Sequence, residues 1–448
     1  VAPTVHVLHD EALANSSYLV EVGDGRAITI DPPRDVERHL RLAQQHDLEL
    51  VTTLDTHLHA DYVSGAAELA ARGVDAVAPR DGGAASQRGI SDGERLQWDD
   101  VALRALATPG HTPEHLAYIF ETGGEPHAVF TGGSLILGGA ARTDLLGDDH
   151  TDELARAQFH SLRRIAALPD RVAVYPTHGA GSFCLAAAAT VDHPTVGSER
   201  RTNPLLAIDD EDAFVDALVA GFGTFPTYYR HLHALNQTGP RLLASLGAPP
   251  ALTADEAARR VVRGALLVDA RPVDRWAAAH PLGAVSIELR PAFTSWLGWA
   301  VPFGAPLVVI ADEEHHEAIT RLARRIGYDD VAFLEGGTAG WAATGRPVAS
   351  VEEVDPDEAR ARQDAGALLV DVRQQAELAG PRLPGAVHVE LGQLIAGATP
   401  DRPEAILFCG HGERSATGVS VLERRGVRAA NLRGGIAAWV AAGLPVER

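Results

Sequence analysis

Residues 366–373 read GALLVDVR, and residues 264–271 read GALLVDAR. Outward from this pair, LGAVSIEL (282–289) matches PGAVHVEL (384–391), and LEGGTAGWAATGRPV (334–348) matches LRGGIAAWVAAGLPV (432–446). Matched blocks in one order mark an internal repeat, so the second half of the chain is expected to hold two homologous domains, 250–348 and 352–448. In each copy ALLVD is a short Leu- and Val-rich run bounded by Gly and Arg, the pattern of a buried parallel strand. LVVIA (307–311) and ILFC (406–409) form a second such strand. Each of these precedes a helical stretch, AITRLARRIG in the first copy and SATGVSVLERRG in the second. The pattern predicts two open α/β sheets with functional residues beyond the carboxyl ends of the strands.

In the second copy the strand ILF runs into Cys409-Gly410-His411-Gly412-Glu413-Arg414-Ser415 and then a helix. A short glycine-containing loop can curl so that several backbone N–H groups face one sulfur, and the helix N-terminus behind it adds partial positive charge. Arg414 adds a full charge. Together they favour a thiolate and then the outer sulfur of a persulfide, which an acceptor nucleophile can attack by thiol exchange. A buried inert thiol and a phosphatase-type cradle are the competing readings. Cys-x4-Arg after a strand, with Asp371-Val372-Arg373 upstream, resembles rhodanese, which implies a sulfurtransferase with Cys409 as nucleophile and Arg414 beside it. The first copy has Ala311-Asp312-Glu313-Glu314-His315-His316-Glu317 at the same place. With no nucleophile and a carboxylate-lined loop, it reads as a catalytically inactive copy kept for packing or for shaping an interface.

Residues 1–245 carry the histidines suited to metal. The stretch LVTTLDTHLHADYVSG opens as a buried strand and ends in a loop with His57, His59 and Asp61. TPGHTPEH follows with His111 and His115, then VFTGGSLILGGAARTDLLG, then VYPTHGAG with His178. Each follows an apolar run such as AVF or VAVY, so these groups are expected to converge at strand ends. The order His-x-His-x-Asp, His, His resembles the metallo-β-lactamase superfamily, which implies an αββα sandwich with metal at its rim. THLHAD, TPGHTPEH, GGAARTDLLG, PTHGAGS and the tail NPLL…FPTYYRHLHALNQTGP (203–240) are similar to persulfide dioxygenases, a family in which fusion to tandem rhodanese domains occurs. That resemblance implies one mononuclear Fe(II), held by two histidines and a carboxylate with open positions for dioxygen and persulfide. The two histidines fall on His57 and His111.

The sequence departs from the family pattern twice. FTGGSL places Gly133 where the carboxylate should stand, and Tyr62 replaces the histidine that ends HxHxDH. Both changes argue against a dinuclear site. The expected ligand set is therefore His57, His59 and His111 around one ion, Fe(II) with Zn(II) as the alternative. Asp61 and His178 are expected as catalytic groups around it or as alternative ligands. His115, one turn on from His111, reads equally well as structural. Asp144 is expected to fix its loop by accepting backbone N–H bonds. Cys184 reads as a buried inert thiol in preference to a sulfur relay. Tyr228 and Tyr229 either line a thiol pocket or fill the space beneath a helix.

Composition bounds the partners. A chain of 448 residues fits about three domains. The formal charge of -21 argues against nucleic acid or an anionic membrane as partner. No apolar run approaches the roughly 20 residues of a membrane span. The stretch VAPTVHVLHDEALANSSYLV lacks the charge and apolar core of a signal peptide, so a cytoplasmic location is expected. Two distant cysteines argue against a disulfide framework and fit a reducing compartment. Methionine is absent, for which we find no physical reason. The expected partners are a small thiol or persulfide of the glutathione kind, with thiosulfate or sulfite. The expected function joins persulfide oxidation to sulfur transfer. The alternatives are a thioester hydrolase of the glyoxalase II type, or a non-catalytic N-terminal half, fused to a sulfurtransferase. The residues do not fix an oligomeric state.

Overall fold

In the strand Asn15–Gly23, alternate side chains part: Tyr18, Val20 and Val22 enter one apolar cluster and Leu19 enters another. The strand Leu116–Thr122 divides the same way, with Tyr118 and Phe120 in the first cluster and Ala117 and Ile119 in a third. Strands that bury both faces must be layered, and the computed structural model of the chain shows the layers. It describes residues 3–85, 87–179, 194–400, 402 and 404–447; Cys184 lies outside them.

Two compact units emerge. The first comprises Val1–Phe222, Tyr228–Leu246 and Arg325–Gly327; the second comprises Gly223–Thr227, Gly247–Arg324 and Tyr328–Arg448.

In the first unit a mixed sheet pairs Val5–Asp10, Asn15–Gly23, Arg26–Ile30, Glu49–Leu54, Asp75–Pro79 and Arg88–Ile90 in chain order. A second sheet runs Ala173–Pro176, Glu125–Gly132, Leu116–Thr122, Val101–Ala107, Arg95–Trp98. Their inner faces meet in the cluster of Tyr18, Ile28, Leu54, Leu103, Tyr118 and Phe130. The helix Glu37–Gln45 covers the outer face of the first sheet through Ala43. The helices Asp148–Ala166 and Glu211–Ala220 cover that of the second through Phe159, Leu162, Phe214 and Leu218. This is the αββα sandwich expected from the histidine pattern. The loops bearing its histidines leave the carboxyl ends of Glu49–Leu54, Val101–Ala107 and Ala173–Pro176, so they share one rim.

In the second unit each copy of the repeat forms its own five-stranded parallel sheet. The first orders Ala251–Leu252, Val331–Leu334, Leu307–Ile310, Leu266–Asp269 and Val285–Ser286. The second repeats it with Glu353–Val354, Ala430–Leu432, Ala405–Phe408, Leu368–Asp371 and Val387–His388. The run ALLVD is thus a strand flanked on both sides in each copy, as its composition predicts, and Cys409 follows the central strand. Among the described residues no helix is long and apolar enough to cross a membrane.

Candidate metal centre and sulfur site

His57, His59, Asp61, His111 and His178 are all fully buried. Each imidazole has one nitrogen held by an acceptor. His57 Nδ1 lies 2.8 Å from Thr56 Oγ1, which itself donates to Asp31. His111 Nδ1 lies 2.7 Å from the Arg142 carbonyl, and His178 Nδ1 lies 3.1 Å from Asn15 Oδ1. His59 uses its other nitrogen, with Nε2 3.2 Å from Asp31 Oδ1 and 3.1 Å from the Tyr62 hydroxyl. These contacts orient the rings; on neutral His57, His111 and His178 the remaining nitrogen carries a lone pair, and His59 offers its Nδ1 once that nitrogen is deprotonated.

Among the described residues these nitrogens have no protein partner. His57 Nε2, His59 Nδ1, His111 Nε2, His178 Nε2 and Asp61 Oδ1 are buried without a hydrogen bond. One such orphan costs about 1–3 kcal/mol, so several in one place call for a shared partner. His57, His59 and His178 bring ligand atoms within 4.8 Å of one another. The His111 ring stands 4.9 Å from that of His57 and 5.3 Å from that of His178. Burial, reinforced by neighbouring imidazoles, holds His57 well below the usual histidine range and His111 and His178 at about 3. Neutral rings with free lone pairs are what a metal cation requires. The residues fit a mononuclear ion. His178, left open by the sequence between ligand and outer group, stands among the ligand atoms.

Around this set lies a shell that the sequence pattern did not expose. Asp31 ends a strand at a left-handed φ of 53° and accepts from Thr56, His59 and Thr177. Burial opposes its charge, but His59 and these donors outweigh burial and hold it below the usual carboxylate range. Burial likewise opposes a charge on His59, yet Asp31 outweighs it and holds His59 above its ordinary value. Asn15 bridges Asp61 Oδ2, at 2.5 Å, and His178. Tyr62, at the position of the missing histidine, donates to the Asp31 carbonyl at 3.0 Å and so accepts from His59. It has become an orienting group.

Other sequence-based expectations resolve plainly. His115 has both nitrogens engaged, with Thr108 Oγ1 at 2.9 Å and the Gly133 N–H at 3.0 Å, and is structural. Asp144 fixes its loop through the Arg142 guanidinium, at 2.6 and 2.7 Å, where backbone N–H donors were expected. The physical reason is that buried Arg142 needs a counter-charge while its carbonyl aims His111. Tyr228 is buried and donates to the Asp61 carbonyl at 2.9 Å, and Tyr229 meets it edge-on at 4.9 Å.

The sulfur site is built on the strand Ala405–Phe408 and the helix Glu413–Glu423. Cys409 is buried and unpaired, the Gly412 N–H points at its Sγ from 3.1 Å, and Ser415 Oγ lies 3.6 Å away. The loop rests on the helix Gly435–Ala441, whose Ile436 N–H donates to the Cys409 carbonyl at 2.9 Å. A Cβ at Gly435 would stand 2.4 Å from that carbonyl oxygen, so the second glycine of RGG is a close-approach residue. Arg414 is present as expected, but its guanidinium grips Glu377 at 2.5 and 2.8 Å. Sequence alone did not show this partner. Asp371-Val372-Arg373 is a structural clamp: Arg373 binds Asp371 and the Pro381 carbonyl, and Arg271, Asp269 and the Ala279 carbonyl repeat it in the first copy.

The copy without a cysteine supports the one that has it. Ser286 binds the helix Glu413–Glu423 twice, its carbonyl accepting from Thr417 at 2.6 Å and its N–H donating to Ser420 at 3.1 Å. His280 lies 3.0 Å from Glu423. The Arg414 guanidinium carbon stands 5.7 Å from the centre of the Trp296 ring. In the first copy's own loop Asp312 pairs with Arg275 at 2.7 Å.

Comparison with known proteins agrees with both halves. Residues 253–344 and 355–442 match the model of the rhodanese-like domain. The mitochondrial persulfide dioxygenase ETHE1 of Homo sapiens is 30% identical over 205 residues, 44% of this chain and 73% of that protein. A hydroxyacylglutathione hydrolase of Xanthomonas euvesicatoria pv. vesicatoria is 32% identical, over 42% of this chain and 69% of the relative. The crystal structure of a metallo-beta-lactamase from Staphylococcus aureus superposes with a TM-score of 0.67 at 26% identity, covering 75% of this chain and 99% of its own.

Proposed function

Because the chain belongs to the metallo-β-lactamase-fold family that includes persulfide dioxygenases, here joined to rhodanese domains, we propose that it is a two-step sulfur enzyme. Its N-terminal domain oxidises a small persulfide of the glutathione kind: RSSH + O2 + H2O gives RSH, sulfite and two protons. The sulfane sulfur loses four electrons, and dioxygen takes them up. Cys409 accepts a sulfane sulfur from a persulfide, releasing thiolate, and passes it to sulfite or to another thiol. A free Cys409 suits a reducing compartment such as the cytoplasm.

The observation that carries this reading is the set of buried, unpartnered nitrogens on His57, His59, His111 and His178 among the described residues, each ring held at its other nitrogen by an acceptor. When bound there, an ion supplies Lewis acidity and, if it is iron(II), reactivity toward dioxygen. The chain's own groups do the rest. Asp31 and Tyr62 hold His59, Asn15 holds Asp61 and His178, and the Arg142 carbonyl holds His111. Asn15 holds Asp61 Oδ2, and Asp61 Oδ1, buried beside the histidines, is placed to take the persulfide proton. At the other site the Gly412 N–H and Arg414 face the sulfur that carries charge.

A second reading has one observation in its favour. A donor set of imidazoles without a carboxylate also suits Zn(II) and hydroxide generation, hence thioester hydrolysis.

The test is oxygen uptake by Fe(II)-reconstituted full-length protein on adding glutathione persulfide, with sulfite assayed alongside. Uptake that His111→Ala abolishes supports the dioxygenase. No uptake by protein shown to hold iron retires it, and thioester hydrolysis by the zinc-loaded protein then favours the second reading.

A further inference from the structure

We infer that the exterior of the N-terminal unit carries a shallow site for a divalent metal ion, formed by His6, Glu21 and His46. It does not depend on the function proposed above. Alternation puts its donors on one face. His6 pairs with Leu19 across the first two strands, and Glu21 lies two residues beyond Leu19, so His6, Leu8, Leu19 and Glu21 all point to the same side. Leu8 and Leu19 join Ala43 of the helix Glu37–Gln45 in a small apolar cluster, and His46 caps that helix at its carboxyl end. Three donors from three elements therefore meet at the rim of a packed cluster.

The geometry is close to what an ion needs. His6 Nε2 lies 3.0 Å from Glu21 Oε1, and the His6 and His46 rings are 4.2 Å apart with 45° between their planes. One donor atom from each of the three residues lies within 4.8 Å of the other two. Metal–ligand bonds of about 2.0–2.2 Å bring donors somewhat closer than this. His46 is exposed, so its ring is free to turn through the remaining distance. The carboxyl end of a helix is its negative pole, and the last turn of Glu37–Gln45 carries no basic residue to occupy it. The chain's formal charge of -21 also favours a cation at its surface. Two imidazoles and a carboxylate, with water completing the shell, select Zn(II), Ni(II) or Cu(II) over Mg(II) or Ca(II). An ion there would tie the helix to the sheet it covers.

The experiment is a Zn(II) titration of metal-free, full-length protein by equilibrium dialysis, beside His46→Ala, Glu21→Gln and His111→Ala. The wild type is expected to show a weak, chelator-labile class of bound Zn(II) that persists in His111→Ala. In His46→Ala and Glu21→Gln that class should weaken at least about tenfold, while any tight class stays unchanged. His46 is exposed, and matched circular dichroism melts in chelator verify that its variant folds. Superimposable isotherms for wild type and His46→Ala, or a wild type without a weak class, would overturn the assignment.

Discussion

The His111 ring occupies the space that a side chain at position 133 would need: an ideal Cβ on Gly133 lies 2.4 Å from His111 Cδ2 and 3.2 Å from the Ala141 Cβ. A side chain at this position therefore displaces His111 or Ala141. Gly133→Asp is expected to destabilise the N-terminal unit by about 1–3 kcal/mol through overpacking and to lower metal content. Calorimetric melting with metal analysis checks it. A Gly133→Asp variant with wild-type stability and more bound iron would show that His111 yields easily.

With position 133 closed, His178 is expected to act as a ligand. His178→Ala should then reduce affinity for Co(II), used as a visible probe, as strongly as His57→Ala and should change the d–d spectrum. Loss of an outer group costs only about 10–100-fold with the spectrum preserved, and that is the result expected for Tyr62→Phe.

Arg414 is shared between Cys409 and Glu377. Burial opposes the Glu377 charge, but its hydrogen bonds from Arg414 outweigh it and hold the carboxyl below the usual glutamate range. A depressed carboxylate keeps its pair at neutral pH and loses it only as pH falls through the lowered value. Glu377→Gln removes the competing anion, so KM for thiosulfate is expected to fall severalfold near neutral pH, with the gap to wild type closing in acid. Steady-state sulfurtransferase kinetics across pH measure both. An unchanged KM would mean that anions do not reach Arg414.

A thiol placed in the first copy is not expected to confer sulfur transfer. Ala311→Cys places sulfur beside Asp312, Glu313 and Glu314, with Asp312 already holding Arg275. In a Cys409→Ser background it is expected to add no thiosulfate-dependent transfer above the protein-free rate. Substantial transfer would show that the loop's carboxylates do not prevent it.

Much of this was legible in the sequence because it depends on local pattern. The repeated GALLVD fixed two parallel sheets, and Cys409 to Arg414 fixed a loop whose residues are neighbours in the chain. The histidine motifs were legible for the same reason. What escaped were pairings between distant residues: Asp31 with His59, Asn15 with Asp61 and His178, and Glu377 with Arg414. No spacing rule links them, since they meet only through sheet register and rim loops. Tyr62 departs from the motif in sequence, yet its hydroxyl meets His59 in space.

The most direct test of the two-step account is product analysis. Iron-loaded protein would be given glutathione persulfide and dioxygen, and sulfite and thiosulfate measured over time for wild type and Cys409→Ser. The account expects wild type to form thiosulfate well above the protein-free rate, and Cys409→Ser to consume oxygen equally fast while its sulfur stops at sulfite. Equal thiosulfate from both proteins, or neither sulfite nor thiosulfate from an iron-holding wild type, would contradict it.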